Sequence, residues 1–164
     1  MNLYLMCHAN VAEQDEDTED NQRPLTEKGR KKLGQIASNL EKLDLEIDAI
    51  VTSPYRYARQ TANIIADGLD IKKKGIVESE NLTPLGFAEK LVEEINSREP
   101  VENLLLVGHE PFLSQLIGTL LAGDASLLVT VKKGGLCKLT IEKLTYGRCA
   151  TLEWLLTPSQ LTEL

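Results

Sequence analysis

The amino-acid sequence predicts a single α/β domain, spanning residues 1–164, with a mostly parallel β-sheet and helices on both of its faces. Two short apolar runs, at positions 3–7 and 104–107, have the character of buried parallel strands. Segments with apolar residues at helical spacing alternate with the predicted strands, and that order is typical of right-handed crossovers. A chain of 164 residues is also long enough to bury one substantial core.

Composition and charge exclude several classes of protein. The chain is 42% hydrophobic and 26% charged, as ordinary globular proteins are. No apolar run approaches the ~20 residues that span a bilayer. The net charge of −7 disfavours nonspecific nucleic-acid binding, which needs a basic surface. The first residues predict a strand rather than a signal peptide, so we expect a cytoplasmic protein of undetermined oligomeric state.

The cysteines predict neither a disulfide framework nor a zinc site. Cys7, Cys137 and Cys149 are odd in number and lack the CxxC spacing of metal ligands. Free thiols in a reducing compartment are the expected state.

The first predicted strand, residues 2–6, leads to His8 and then into a strongly acidic segment. Six of the eight residues from Glu13 to Asp20 are acids. A metal-binding loop would be the functional interpretation, but the segment lacks the glycine and the ligand spacing of an EF-hand. Like charges repel and extend a chain, so a solvated loop is predicted.

The first predicted helix begins after Thr26, whose side chain suits an N-cap. Its apolar residues recur at the helical period and predict one face packed on the sheet: Leu33, Ile36, Ala37, Leu40 and Leu43. Gly29 in the first turn lowers helix propensity, which indicates that another part of the chain passes close to it.

The second predicted strand, residues 47–52, ends at Ser53-Pro54, and Pro54 suits the start of a helix that extends to about residue 67. Arg56 and Arg59 lie in the first turns of that helix, where free N–H groups and the helix dipole favour anions. The two arginines therefore indicate either an anion site or a solvated helix face.

A third strand at residues 76–78 and a further helix continue the alternation. The inward residues of that helix are expected to be Phe87, Ala88, Leu91, Val92 and Ile95. The strand at 104–107 is followed by His109, and Pro111 then opens a helix that Gly123 ends.

The C-terminal part has a different pattern. Residues 137–141 alternate between apolar and polar, and residues 150–156 form a second strand-like run. An antiparallel hairpin at the edge of the sheet is therefore predicted. Lys132 and Lys133 precede the hairpin, where they either occupy an exposed turn or face an anion.

Five short motifs, taken in order, resemble the histidine phosphatase superfamily, in particular its small SixA-type phosphohistidine phosphatases. The motifs extend over the whole chain in the order found in that family. They are Met6-Cys7-His8-Ala9 at the Arg-His-Gly signature, Leu25-Thr26-Glu27-Lys28-Gly29 at the LTxxG helix start, Ser53 to Ala62 at the SPxxRAxQTA helix, Leu82 to Gly86 at a loop of the small branch, and Val107-Gly108-His109-Glu110-Pro111 at the second histidine.

The resemblance implies a three-layer α/β/α sandwich of the phosphoglycerate mutase-like fold, with a mostly parallel sheet and an antiparallel edge. It implies that His8 is a nucleophile carrying the phosphoryl group as phosphohistidine, and that His109 is the second histidine of the pocket. Neither a metal nor another cofactor is implied. The expected substrate is a phosphohistidine protein or a small phosphate ester.

Two positions depart from the pattern, and both hold arginine in the family. Cys7 replaces the arginine of the signature, and Tyr57 stands in register with the arginine of the helix motif. Arg56 is displaced by one residue, or about 100° around the helix axis. Arg56 and Arg59 are therefore the candidate phosphate-binding residues at this helix, and Lys133 is a weaker candidate.

The substitutions leave several functions open. Removing one fixed donor from a transferring group typically costs about 10²–10³ in rate, so the chain is expected to be either a phosphatase of reduced activity or a pseudo-enzyme that binds phosphate or protein. A third interpretation makes Cys7 a thiolate nucleophile. Cysteine-dependent phosphatases use a C-x5-R loop, however, and Glu13 occupies the place of that arginine. Glu80 is a weak candidate for a general acid.

Overall fold

The structure, a computed structural model, describes residues 1–71 and 75–164. Its strands are β1 Asn2–Cys7, β2 Ala49–Thr52, β3 Ile76–Glu78, β4 Asn103–Gly108, β5 Leu136–Ile141 and β6 Ala150–Leu156. Its α-helices are α1 Glu27–Leu40, α2 Arg56–Gly68, α3 Ala88–Asn96, α4 Phe112–Ala122 and α5 Pro158–Thr162. None of the described helices is both long enough and apolar enough to cross a membrane.

The six strands form one sheet in the order β3-β2-β4-β1-β5-β6. The pairs β3–β2, β2–β4 and β4–β1 are parallel, whereas β1–β5 and β5–β6 are antiparallel. The predicted α/β fold with a mostly parallel sheet is confirmed, and so is the C-terminal hairpin at its edge.

Helices cover both faces of the sheet because its central strands are apolar on both sides. In β1, Leu3 and Leu5 pack into one core together with residues of α3 and α4. Tyr4 and Met6, which alternate with them, point to the opposite face and pack into a second core with residues of α1 and α2. The sheet is therefore the middle layer of a three-layer sandwich.

The start of α1 agrees with the prediction. The Thr26 side chain accepts the Gly29 N–H at 2.9 Å, as an N-cap residue does. A Cβ added to Gly29 would lie 2.9 Å from the Asn10 carbonyl oxygen, so the chain after β1 does pass close to this turn. At the far end of α4, Gly123 takes the left-handed conformation with φ of 71° and ends the helix as predicted.

The expected inward position of Phe87 is wrong. Phe87 precedes α3 as its N-cap, with an extended backbone, and its side chain is 62% exposed. Because the residue lies outside the helix, the helical period that buries Leu91 and Val92 does not place its ring on the sheet. The Lys90 ammonium group lies 5.1 Å from the centre of the Phe87 ring instead.

Two further differences concern the bounds of elements. The second strand begins at Ala49 rather than at residue 47, because the Asp48 carboxylate accepts the N–H groups of Glu102 and Asn103 at 3.1 and 2.8 Å and holds the preceding chain in a loop. Helix α5 was not predicted at all. Its five residues are too few to show a periodicity, although Thr157 forms a capping box at its start.

The two histidines follow neighbouring strands. Cys7 at the end of β1 pairs with Gly108 at the end of β4, and the His8 N–H donates to the Gly108 carbonyl oxygen at 3.1 Å. Since β1 and β4 run in the same direction, His8 and His109 leave the sheet together at its carboxyl edge, where open α/β sheets place their ligands.

Gly68 lies where α2 meets α1, and a Cβ there would stand 2.4 Å from the Cβ of Ala37. Gly68→Ala is expected to lower the free energy of unfolding by about 1–3 kcal/mol, because the overlap forces the two helices apart. Urea unfolding followed by circular dichroism measures the change.

Gly34→Ala is the matched control, since a Cβ at Gly34 would have no atom within 4 Å. In the interior of α1 this substitution should raise the free energy of unfolding by about 0.5–1 kcal/mol. Equal effects of the two substitutions would contradict a close contact between α1 and α2 at Gly68.

Candidate active site

The two histidines of the chain lie side by side in a buried site. The ring centres of His8 and His109 are 5.2 Å apart. His8 is 7% exposed and His109 is 2% exposed. The resemblance implies that these residues share one pocket, and the structure brings them together.

A backbone carbonyl group holds the ring of His8 in one tautomer. His8 Nδ1 lies 2.7 Å from the carbonyl oxygen of Ala9. A carbonyl oxygen can only accept, so Nδ1 carries the proton and the lone pair is on Nε2. Burial lowers the pKa of His8 to about 4, an effect that the Ala9 carbonyl partly opposes. At neutral pH His8 is therefore uncharged, with Nε2 available as a nucleophile.

His109 is also neutral at this pH, and it is held by a hydroxyl group. Its Nε2 lies 2.7 Å from Ser53 Oγ, at the loop between β2 and α2. Burial, together with the charge that His8 would carry, lowers the pKa of His109 to about 3.

Tyr57 lies against both histidines, at the position where the resemblance implies an arginine. Its ring centre is 4.4 Å from that of His8 and 5.3 Å from that of His109. The Tyr55 ring lies against His109 as well, with centres 4.9 Å apart. The phenol of Tyr57 donates to the Asp20 carboxylate at 3.3 Å. Aromatic surface and a carboxylate therefore adjoin the histidines on this side.

Cys7 is buried in the hydrophobic core on the other side of β1 and is 1% exposed. Burial, followed by the charge of Glu110, raises the pKa of the Cys7 thiol to about 12. A thiol in this state is protonated and shielded from solvent, so the geometry disfavours the thiolate-nucleophile interpretation.

Arg23 is a charged residue near His8 that was not predicted from the sequence. Its guanidinium group donates to Asp20 Oδ1 at 2.7 Å and, through Nε and Nη2, to the Ala12 carbonyl oxygen at 2.9 and 2.6 Å. The charges of Arg23 and Asp20 both act on the His8 ring. A single arginine in a loop has no periodicity, and its position directly before the Pro24-Leu25-Thr26 helix start was the only available signal.

The turn at residues 132–135 packs against the end of β1. The Gly134 N–H donates to the carbonyl oxygens of Cys7 and His8 at 3.0 and 3.1 Å. The Lys133 side chain of this turn is exposed. Burial is the main cause that lowers the pKa of His8, and the positive charge of Lys133 lowers it further. Lys133 therefore contributes a positive charge that acts on His8.

Arg56 and Arg59 make their contacts elsewhere. Arg56 Nη1 donates to the Gln22 carbonyl oxygen at 3.2 Å, and Arg59 Nη1 lies 3.5 Å from the Glu78 carboxylate. Both arginines line a surface cleft whose lining includes neither histidine. Glu80, the weak candidate for a general acid, is exposed at the start of a short 3₁₀ helix.

The described residues contain no group of three or more His, Cys, Asp or Glu side chains arranged to hold a metal ion. Four surface cavities have volumes of about 420, 460, 520 and 740 Å³, and neither histidine lines any of these four. The histidine pair is thus covered by its own neighbours rather than open to one of these cavities.

Comparison with known proteins identifies the family. The family model of the histidine phosphatase superfamily (branch 1) matches residues 3–83. An uncharacterized protein of Picosynechococcus sp. is 33% identical over 138 residues, which is 83% of this chain and 82% of that protein. The phosphohistidine phosphatase SixA of Escherichia coli is 26% identical over 164 residues, 98% of this chain and 96% of the relative.

A solved structure agrees with these matches. The protein histidine phosphatase SixA complexed with tungstate superposes with a TM-score of 0.81 at 25% identity, covering 98% of this chain and 99% of that one. The phosphoglycerate mutase-like fold that the resemblance implies is thereby confirmed, and so is the relation to SixA-type proteins. The chain belongs to the histidine phosphatase superfamily.

Proposed function

We propose that this protein is a SixA-like phosphatase of low turnover, in which His8 Nε2 attacks the phosphorus atom of a phosphoryl group. The main support for this proposal is the contact between His8 Nδ1 and the Ala9 carbonyl oxygen at 2.7 Å. It keeps the proton on Nδ1 and directs the lone pair of Nε2 away from the backbone. The phosphorus–leaving-group bond breaks as the P–N bond forms, and water then hydrolyses the resulting phosphohistidine.

Low turnover follows from the charges around His8. A transferring phosphoryl group spreads negative charge over its oxygens, and fixed cations stabilise it. Arg23 and Lys133 are the cations whose charges reach His8. Arg23 is already paired with Asp20 at 2.7 Å, so one of the two cations is largely neutralised. The net positive charge available to a phosphate is therefore small.

A phosphohistidine protein suits this site better than a phosphate ester. An ester oxygen leaves as an alkoxide unless an acid protonates it, and Glu80, the weak candidate for that acid, is exposed on a separate short helix. In a phosphohistidine whose other ring nitrogen carries a proton, cleavage of the P–N bond releases neutral imidazole. This leaving group needs no acid. The name of the relative SixA, a phosphohistidine phosphatase, supports the same substrate class.

The compartment in which the protein acts is part of the proposal. Cys7, Cys137 and Cys149 are all free thiols, two of them buried. Free thiols are typical of reducing compartments, which supports the cytoplasm as the place where a phosphorylated protein would meet this site.

A binding module is the second candidate, and Tyr57 is the observation that favours it. The Tyr57 ring lies in contact with both histidines and is 4% exposed. A phosphoryl group reaching His8 must displace this ring or enter beside it. If the ring does not yield, the protein would recognise a phosphorylated partner through its surface without hydrolysing it.

The proposed nucleophile is tested by His8→Ala. Wild-type protein is expected to release phosphate from a ³²P-labelled phosphohistidine protein and, more slowly, from p-nitrophenyl phosphate. His8→Ala should reduce both rates to background and abolish the acid-labile ³²P label on the protein, because the attacking nitrogen is removed. The readouts are phosphate release and acid lability of the trapped label.

Cys7→Ala is the matched control, because it removes the neighbouring nucleophilic side chain while His8 stays in place. It should leave the labelling within about twofold of wild type, since the buried thiol is protonated. Equal background rates for wild type and His8→Ala would reject the phosphatase, and intact binding of the phosphohistidine protein would then favour the binding module.

Restoring a cation beside the histidines should raise turnover. Tyr57→Arg is expected to increase kcat/KM for the phosphohistidine protein by about 10², the reverse of removing one charged donor. Tyr57→Phe is the control: it removes the hydroxyl but adds no charge, so it should give no such gain. Steady-state kinetics at constant ionic strength decide, and equal rates for Tyr57→Arg and Tyr57→Phe would show that the pocket is misassigned.

The histidines should remain neutral well below their ordinary pKa. The pKa of His8 is about 4 and that of His109 about 3, against 6.5 for an exposed histidine, because burial penalises the charged ring. Imidazole ¹⁵N shifts should therefore show uncharged rings at pH 5. A titration midpoint near 6.5 for either ring would contradict the buried site.

The lowered pKa values of His8 and His109 also make the stability of the protein depend on pH. As the pH falls below 6.5, the unfolded chain takes up protons that folded His8 and His109 do not bind, so the free energy of unfolding decreases until each folded pKa is passed. Each histidine should contribute a loss of roughly 1.4 kcal/mol per pH unit between 6.5 and 4. The free energy of unfolding, measured with urea, should therefore change less between pH 7 and pH 5 in His109→Gln than in wild type.

A further inference from the structure

The cleft that holds Arg56 and Arg59 lies beside the histidine site and has a volume of about 420 Å³. We call it the α2 cleft. Its lining residues are Thr52, Arg56, Arg59, Gln60, Asn63, Ile76 and Glu78. They come from α2, from Thr52 at the carboxyl end of β2, and from β3, whose last residue is Glu78. The cleft therefore lies toward the same edge of the sheet as the two histidines.

Helical spacing explains how α2 lines this cleft. The four α2 residues of the lining are at relative positions 0, 3, 4 and 7, which share one face of a helix. Tyr57 is one residue after Arg56, about 100° around the axis, and its ring contacts the histidines instead. Helix α2 therefore presents an aromatic residue to the histidine site and its arginines to the α2 cleft.

Several hydrogen-bond donors in the α2 cleft have no acceptor within the described part of the protein. Gln60 accepts the Leu25 N–H at 2.8 Å through Oε1, and its side-chain nitrogen has no hydrogen-bond partner among the described residues. The Asn63 side chain likewise has none in the ranges 1–71 and 75–164. Arg56 uses one of its five N–H groups, on the Gln22 carbonyl oxygen.

The charges in the α2 cleft also favour an anion. Two guanidinium groups face one carboxylate, that of Glu78, and the Arg59–Glu78 pair is exposed and as long as 3.5 Å. Exposed pairs of this kind contribute little and exchange readily for a better acceptor. A local positive excess stands out in a chain whose net charge is −7. Guanidinium groups bind oxyanions with two parallel hydrogen bonds, which a carboxylate or phosphate matches in shape.

We propose that the α2 cleft binds an oxyanion, carried as a phosphate or a carboxylate group, at a site separate from His8 and His109. Arg56 and Arg59 supply the charge and the paired donors, and the free amide groups of Gln60 and Asn63 complete the set. The proposal does not depend on hydrolysis at His8.

Nuclear magnetic resonance titration of the full-length protein tests the site directly. Inorganic phosphate and a tetraglutamate peptide are added in separate series at constant ionic strength, and the Nε–Hε signals of Arg56 and Arg59 and the side-chain amide of Asn63 are followed. Saturable shifts in all three are expected with at least one probe. A response to phosphate alone identifies a phosphate group as the ligand, and a response to the peptide alone identifies carboxylates.

Three variants separate this site from the histidine site and from general charge effects. His8→Ala should bind the responding probe as wild type does. The double variant Arg56→Gln/Arg59→Gln should bind it about ten- to a hundredfold more weakly, because charge-assisted hydrogen bonds are lost. Arg30→Gln, at an exposed arginine of α1, is the matched control and should change nothing.

Several results would overturn the proposal. One is the absence of saturable shifts with both probes. A second is a response of the Arg30 signal as large as that of Arg56, and a third is unchanged affinity in the double variant while circular dichroism shows a folded chain. Loss of binding in His8→Ala would likewise assign the anion to the histidine site and not to the α2 cleft.

Discussion

The parallel pairing of β1 with β4 is the constraint on which the rest of the site depends. It sets Cys7 opposite Gly108, so that the next residue of each strand is a histidine at the same edge of the sheet. A shift of one residue in this register would turn the side chains of β1 to the opposite face and separate the two rings. The turn at residues 132–135 then donates to the backbone carbonyl groups of Cys7 and His8, and the Ser53 hydroxyl contacts the ring of His109.

The chemical character of the site follows from which face of α2 meets the histidines. An arginine in the register of Tyr57 would bring a permanent charge to His8, whereas the phenol contributes an aromatic surface and a hydrogen bond to Asp20. The guanidinium of Arg56 lies about 100° away around the same helix and contacts the Gln22 carbonyl oxygen. A displacement of one position in the sequence thus moves a charge from one side of a helix to another without disturbing the fold.

Much of the fold was predictable from the sequence, because its signals are periodic or depend on single residues. The apolar run at 104–107, the N-cap Thr26 and the terminal Gly123 each determine a local structure that the three-dimensional packing preserves. Phe87 was mispredicted because periodicity does not show where a helix begins. Within the site, His8 and His109 were predictable from their positions after strands. Arg23 was not, because its contacts with Asp20 and the Ala12 carbonyl oxygen arise only when an irregular loop folds back on itself.

The burial of Cys7 has a consequence for how the protein would respond to oxidants. Enzymes that use a cysteine nucleophile maintain a thiolate, and hydrogen peroxide converts a thiolate to sulfenic acid. Here the sulfur atom nearest to His8 in the sequence is 1% exposed, and the pKa of about 12 keeps it almost wholly protonated at neutral pH. Imidazole does not enter this oxidation ladder. The proposed histidine nucleophile would therefore continue to work under oxidative stress that inactivates cysteine-dependent phosphatases.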